Sequence, residues 1–330
     1  MVRRVPVWTW RMLMRMMSAG EHARFNAEPI LEVDYHNDID FVGDGIRAHR
    51  LDVIAPHREA LDSAPLPVYV YFHGGGWTSG DKSALTKYCA SQAVGGMIVV
   101  NVNYRMATRF KMSHMLQDAN AALSWVADTI SVFGGDPDRI VLGGDSAGGQ
   151  IAALLAASSF QPDLAEHYGI RPATPKGRLK GVVQHCSIVD FSVLFDKGFI
   201  LSLNFVQMLL PARITQPKAP KGDHPASQLT RLHLLRRAAH FLSPIEWLDA
   251  GYPPVFVTTS ERDYFYRANL NFVASLRRYS IPVETLIYEK TNTNTLHTWQ
   301  QNYRYPESQE VYRRLQAFVR RVAGVPQLVS

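Results

Sequence analysis

The stretch RIVLGGDSAGGQIAALLAA, Arg139 to Ala157, decides how this chain is read. It opens as an apolar run suited to a buried strand and closes as an alanine-rich run suited to a helix. Between the two, Ser146 has Gly144 two places before it and Gly148 two places after it. A sharp strand-to-helix turn holds its middle residue in a strained conformation, and bulk two positions to either side would collide. The strain lifts the hydroxyl to the carboxyl end of the sheet, where open α/β folds bind ligands. A helix that starts at the serine turns its free N–H groups and positive dipole end toward developing negative charge. Ser146 is therefore placed as a nucleophile. The alternative, a glycine-rich phosphate-binding turn, lacks the lysine of a phosphate loop and the glycine spacing of a dinucleotide fold.

Outward from this turn the chain alternates strand and helix. LEVDYH, IRAHRLDVI, LPVYVYFHG, MIVVNVNYR, RIVLGGD, KGVVQHCSI, PVFVTTS and VETLIYE read as strands. Many are continuously apolar and rich in Val and Ile, as parallel strands covered on both faces are. Helical patterns lie between them. SHMLQDANAALSWVADTISVF carries Ala119, Ala122, Leu123, Val126, Ile130 and Phe133 on one stripe. KSALTKYCASQAV, ANLNFVASLRRY and ESQEVYRRLQAFVRRV are the others. The alternation predicts an α/β fold with an open, mostly parallel sheet and right-handed crossovers. From about Asp190 to Ser243 no strand is convincing, and helical pieces surround a Pro-rich polar stretch, PARITQPKAPKGDHPASQ. This reads as an inserted helical cap with a mobile loop.

Bulk properties narrow the function. The chain has 330 residues, 46% hydrophobic, enough for one large domain with an insertion. A net charge of +6 with scattered Lys and Arg does not make a nucleic-acid surface. Cys89 and Cys186 are the only cysteines and have no zinc spacing, which favours reduced thiols and a cytoplasmic location. The opening MVRRVPVWTWRMLMRMMSAG is broken by Arg11 and Arg15, unlike a signal peptide. It suits an amphipathic segment on the protein's own surface, with a membrane surface as the alternative. FILSLNFVQMLL is too short and polar to span a bilayer.

A second element is HGGGW, His73 to Trp77, directly after the strand LPVYVYF. Three consecutive glycines leave backbone N–H groups uncovered, and such donors aimed at an oxyanion contribute about 3–4 kcal/mol each. Together with FGGDPDRIVLGGDSAGG, this motif resembles the hormone-sensitive-lipase-like branch of the α/β hydrolases, from about Glu32 onward. The resemblance implies an α/β-hydrolase fold with an eight-stranded, mostly parallel sheet flanked by helices. Residues 31–330 would form the catalytic domain with the cap around 190–243, and residues 1–30 would join the cap. It also implies an oxyanion hole from Gly75, Gly76 and the N–H of Ala147. Gly74 would shape the loop, and His73 would organise it without acting as the base.

A serine hydroxyl needs a base, and the base a carboxylate, in the chain order Ser, acid, His. Asp263, in SERDYFY after PVFVTTS, fits the acid; Glu261 is its near rival, and Asp249 precedes the strand. The Asp145 side chain should point away from the hydroxyl. His297, in NTLHTWQ beyond the last strand, fits the base, although His-Thr-Trp replaces the family's usual His-Gly-Phe-like wording. His185 reads as a buried structural residue, while His224, His233 and His240 lie in or near the cap.

The expected activity is hydrolysis of short- to medium-chain acyl esters through an acyl-enzyme, with no metal or cofactor. Amidase or peptidase chemistry on the same fold is the alternative, ahead of a non-catalytic binding protein. Trp77 would line the substrate pocket or pack the cap onto the body. The expected partner is a small-molecule ester, with homodimerisation through the edge strand and last helix allowed only by analogy.

Overall fold

The computed structural model describes residues 25–57, 64–174, 176–196, 202–211 and 233–325, with Thr9 and Met12. All eight expected strands are present: β1 Val33–Asp40, β2 Arg50–Pro56, β3 Leu66–Phe72, β4 Ile98–Val102, β5 Gly135–Asp145, β6 Leu179–His185, β7 Val255–Ser260 and β8 Val283–Tyr288. They form one sheet in the order β1-β2-β4-β3-β5-β6-β7-β8. β2 runs antiparallel to both β1 and β4, and every other pairing is parallel.

The helices are α1 Thr86–Val94, α2 Met112–Thr129, α3 Ser146–Ser158, α4 Pro162–Tyr168, α5 Ser202–Leu209, α6 Tyr266–Arg278 and α7 Pro306–Val322, with a further helical stretch over 233–239. The period of two along β3 divides the core. Val68, Val70 and Phe72 join the layer that includes Leu116, Ala119 and Ile151 of α2 and α3. Tyr69 and Tyr71 join the layer that includes Tyr88, Val311 and Leu315 of α1 and α7. The predicted stripe on α2 holds: Ala119, Ala122, Leu123, Val126 and Ile130 are all buried, with Phe133 partly so. IRAHRLDVI begins later as a strand than its pattern suggests. Arg47–His49 make a 3-10 turn, because His49 turns in to meet Asp44 and Asp118. Helix α4 was not legible in the alternation, since seven residues are too few for a period to show.

Register positions the site. Phe72 at the end of β3 lies beside Gly144 near the end of β5, so the loop after β3 and the turn after β5 leave the sheet together. A Cβ on Gly148 would stand 2.0 Å from the Phe72 carbonyl oxygen, so glycine there permits this approach. The excursion after β6 closes on itself: Phe191 N–H donates to Ser243 Oγ at 3.0 Å and Ile245 N–H to the Val189 carbonyl at 3.0 Å. Between those ends, the described residues hold helices and no strand. The expected mobile loop and His224 lie outside the described residues, as does nearly all of the expected N-terminal segment up to residue 24. Among the described residues no helix is long and apolar enough to cross a membrane.

Candidate active site

Ser146 is the first residue of α3 and follows β5 with φ +50, the left-handed backbone a cramped turn imposes. Asp263 sits three residues beyond β7, where Phe265 N–H and the Thr259 hydroxyl donate to its carboxylate at 3.2 and 3.0 Å. His297 comes from the loop between β8 and α7. These three distant segments converge. His297 Nε2 lies 3.0 Å from Ser146 Oγ, and Nδ1 lies 2.6 Å from Asp263 Oδ1. The Asp263 side chain is fully buried and that of His297 is 22% exposed, so the line runs from the interior to an accessible ring. As the neutral ring protonated on Nδ1, His297 donates to Asp263 and leaves Nε2 to accept the serine hydroxyl.

The rivals lie elsewhere. Glu261 accepts the Lys290 N–H at 2.8 Å. Asp249 accepts from Gly251 and Gln161 ahead of β7. His185 is buried between the Tyr88 hydroxyl and Thr258, and burial holds its ring down at about 3, so it stays neutral. His233 is exposed, and His240 is an exposed residue 3.5 Å from Glu246.

The glycine loop lies against the turn. His73 stacks on Tyr104 with ring centroids 4.6 Å apart, its Nδ1 2.8 Å from the Gly74 carbonyl, and the Tyr104 hydroxyl donates to the His73 carbonyl. Burial lowers the His73 pKa, which suits an organising rather than a titrating ring. Gly75 and Gly76 N–H have no acceptor among the described residues. Ala147 N–H lies in the first turn of α3, where a helix leaves its donors unpaired. Trp77 is 2% exposed, its ring against Phe191 and Phe205 and its indole N–H on Gln150 Oε1 at 2.7 Å.

Tyr71, Gln301 and Gln150 were not singled out from the sequence, nor was Cys186 placed at the site. Asp145 does point away from the hydroxyl, and its carboxylate accepts from the Tyr71 hydroxyl, Gly74 N–H and Gln301 side chain at 2.5, 3.0 and 2.9 Å. Burial pushes this carboxyl up, against the pull of the Tyr71 donor. Cys186 is buried with its Sγ within 4.8 Å of an Asp263 carboxylate oxygen, and burial raises its pKa well above the usual thiol range. Gln150 alone had a readable signal: it follows Ser146 by one helical turn. Cys186, Asp263 and His297 offer ligand atoms within 4.8 Å of one another. The 2.6 Å contact between the last two is nevertheless a hydrogen bond, since two ligands of one tetrahedral ion stand about 3.3 Å apart.

Residues 69–297 match the alpha/beta hydrolase fold family. Carboxylesterase NlhH of Mycobacterium tuberculosis is 46% identical over 92 residues, covering 28% of this chain and 29% of that protein. The probable carboxylic ester hydrolase LipM of the same species is 30% identical over 256 residues, covering 75% of this chain. The chain thus spans under a third of NlhH and 53% of LipM. The solved esterase B from Lactobacillus rhamnosis superposes with a TM-score of 0.80 at 20% identity, covering 96% of this chain and 95% of that one. At that identity the likeness is one of fold.

Proposed function

The chain belongs to the alpha/beta hydrolase fold family, and from that premise we propose that it hydrolyses carboxylic esters through an acyl-enzyme on Ser146. The observation that carries this reading is the line Asp263–His297–Ser146, with bonds of 2.6 and 3.0 Å, at a turn bonded to the glycine loop whose Gly75 and Gly76 N–H groups have no acceptor among the described residues. His297 takes the serine proton as the hydroxyl attacks the ester carbonyl, while Asp263 orients the ring and stabilises the imidazolium. The tetrahedral oxyanion sits on the N–H groups of Gly75, Gly76 and Ala147. The protonated His297 gives its proton to the departing alcohol. Water, deprotonated by the same ring, then cleaves the acyl-serine ester, releasing the acid and restoring the hydroxyl.

The excursion from Asp190 to Ser243 acts as a cap in this reading, supported by the bonds that join its two ends. Trp77 packs that cap onto the body through Phe191 and Phe205. Similarity to a carboxylesterase, NlhH, and a probable carboxylic ester hydrolase, LipM, favours ester over amide substrates. A covered apolar site favours short and medium acyl chains over long ones.

The test is mass spectrometry after treatment with an organophosphonate. One adduct on Ser146, absent from Ser146→Ala of unchanged circular dichroism, supports the reading; labelling elsewhere or none overturns it. A series of p-nitrophenyl esters, with a matching anilide, separates esterase from amidase and reads the preferred chain length.

A further inference from the structure

The glycine loop is bonded to the serine turn at both of its ends. At one, Gly74 N–H donates to Asp145 Oδ1 at 3.0 Å; at the other, the Trp77 indole N–H donates to Gln150 Oε1 at 2.7 Å. Asp145 directly precedes Ser146 and Gln150 follows it by one turn of α3, both with at most 1% exposure. The two residues left between the anchors are Gly75 and Gly76.

The loop needs such anchors. Gly75, Gly76 and Trp77 have φ values of +119, +58 and +61, three successive residues in backbone that L side chains rarely adopt. For Trp77 the conformation costs on the order of 1 kcal/mol or more, and it persists only where the surroundings impose it. Amides in such a segment would otherwise swing, and an oxyanion donor is effective only when fixed before the charge appears. Each anchor is itself braced: Asp145 Oδ2 accepts from Gln301 at 2.9 Å, and Gln150 Nε2 donates to the Leu242 carbonyl at 2.5 Å.

We infer that Asp145 and Gln150 are positioning residues that clamp the glycine loop from either side and thereby aim the Gly75 and Gly76 amides at the developing oxyanion. This rests on the esterase reading above. Because the clamp acts on the transition state and not on the bound ester, its loss should appear in kcat and leave KM nearly unmoved.

The test uses the full-length chain with a p-nitrophenyl ester. Gln150→Leu, which deletes the indole's acceptor, and Trp77→Phe, which deletes its donor, should each lower kcat about 10- to 50-fold, part of what losing a donor outright costs. KM should stay within about threefold in both. The double variant should lose little more than either single one, since both remove the same bond. Gln150→Glu, which keeps an acceptor for the indole, should recover most of the rate. A trifluoromethyl ketone, which forms the tetrahedral adduct, should weaken in parallel with kcat. Trp77→Phe serves should Gln150→Leu fail to fold. Variants that melt earlier yet keep wild-type kcat, or that raise KM alone, overturn the clamp. A folded wild-type chain that turns over no ester overturns the esterase reading, and the clamp with it.

Discussion

The Gln301 side chain donates to the Asp145 carboxylate at 2.9 Å, which ties the residue four places after His297 to the residue just before Ser146. The nucleophile and its base lie 151 residues apart in the chain, and this part-buried bond fixes one against the other. Gln301→Leu should therefore lower kcat about tenfold and destabilise the fold by about 1–3 kcal/mol, because a buried carboxylate oxygen loses its donor. Gln301→Glu sets two carboxyl groups face to face. It should cost more stability at pH 8, where both ionise, than at pH 5, where they share a proton. Initial rates and thermal melts at the two pH values check both outcomes.

Asp263→Asn should keep the shape of the site while weakening the acceptor that holds the His297 Nδ1–H and orients the ring. A fall in kcat of about 10⁴-fold is expected, with phosphonate labelling slowed to match and the melting temperature close to wild type. A variant retaining a tenth or more of wild-type kcat would rule out Asp263 as the orienting acid.

His185 should make the fold acid-sensitive. Its pKa, held at about 3 by burial, lies below the value near 6.5 of the unfolded chain. The unfolded state therefore binds a proton that the native state refuses. Stability from this group is complete above about pH 6.5 and drains away as pH falls toward about 3. His185→Gln should flatten the decline of melting temperature between pH 6.5 and 4. An unchanged slope would mean that other groups govern it.

Thr298 has φ +58, a poor conformation for a β-branched side chain, where the resembled family usually has glycine. Thr298→Gly removes that strain but loosens the unfolded chain, for a net gain of about 1 kcal/mol. The melting temperature should rise by about 2 °C. A fall would show that the threonine side chain contributes more than the strain costs.

Much of this was legible in the sequence because the constraints are local. The strands are written in Val and Ile runs, and the turn at Ser146 in paired glycines whose absent side chains permit the approach of Phe72. The order of serine, acid and base follows from which loops leave the carboxyl edge. Residues whose partners lie far along the chain stayed hidden. Tyr71 and Gln301 meet one carboxylate from positions 230 residues apart, and nothing in either neighbourhood marks it. The sequence marks Cys186 only as a reduced thiol without zinc spacing, yet register brings the end of β6 alongside β7, from which the chain passes to Asp263.

The bonds from Phe191 to Ser243 and from Ile245 to Val189 bring the outgoing and returning chain together at a narrow neck. Whatever lies beyond such a neck can be lengthened, trimmed or exchanged without rethreading the strands beneath it. Diversification of this scaffold toward new esters should therefore concentrate there, while the machinery below is inherited intact.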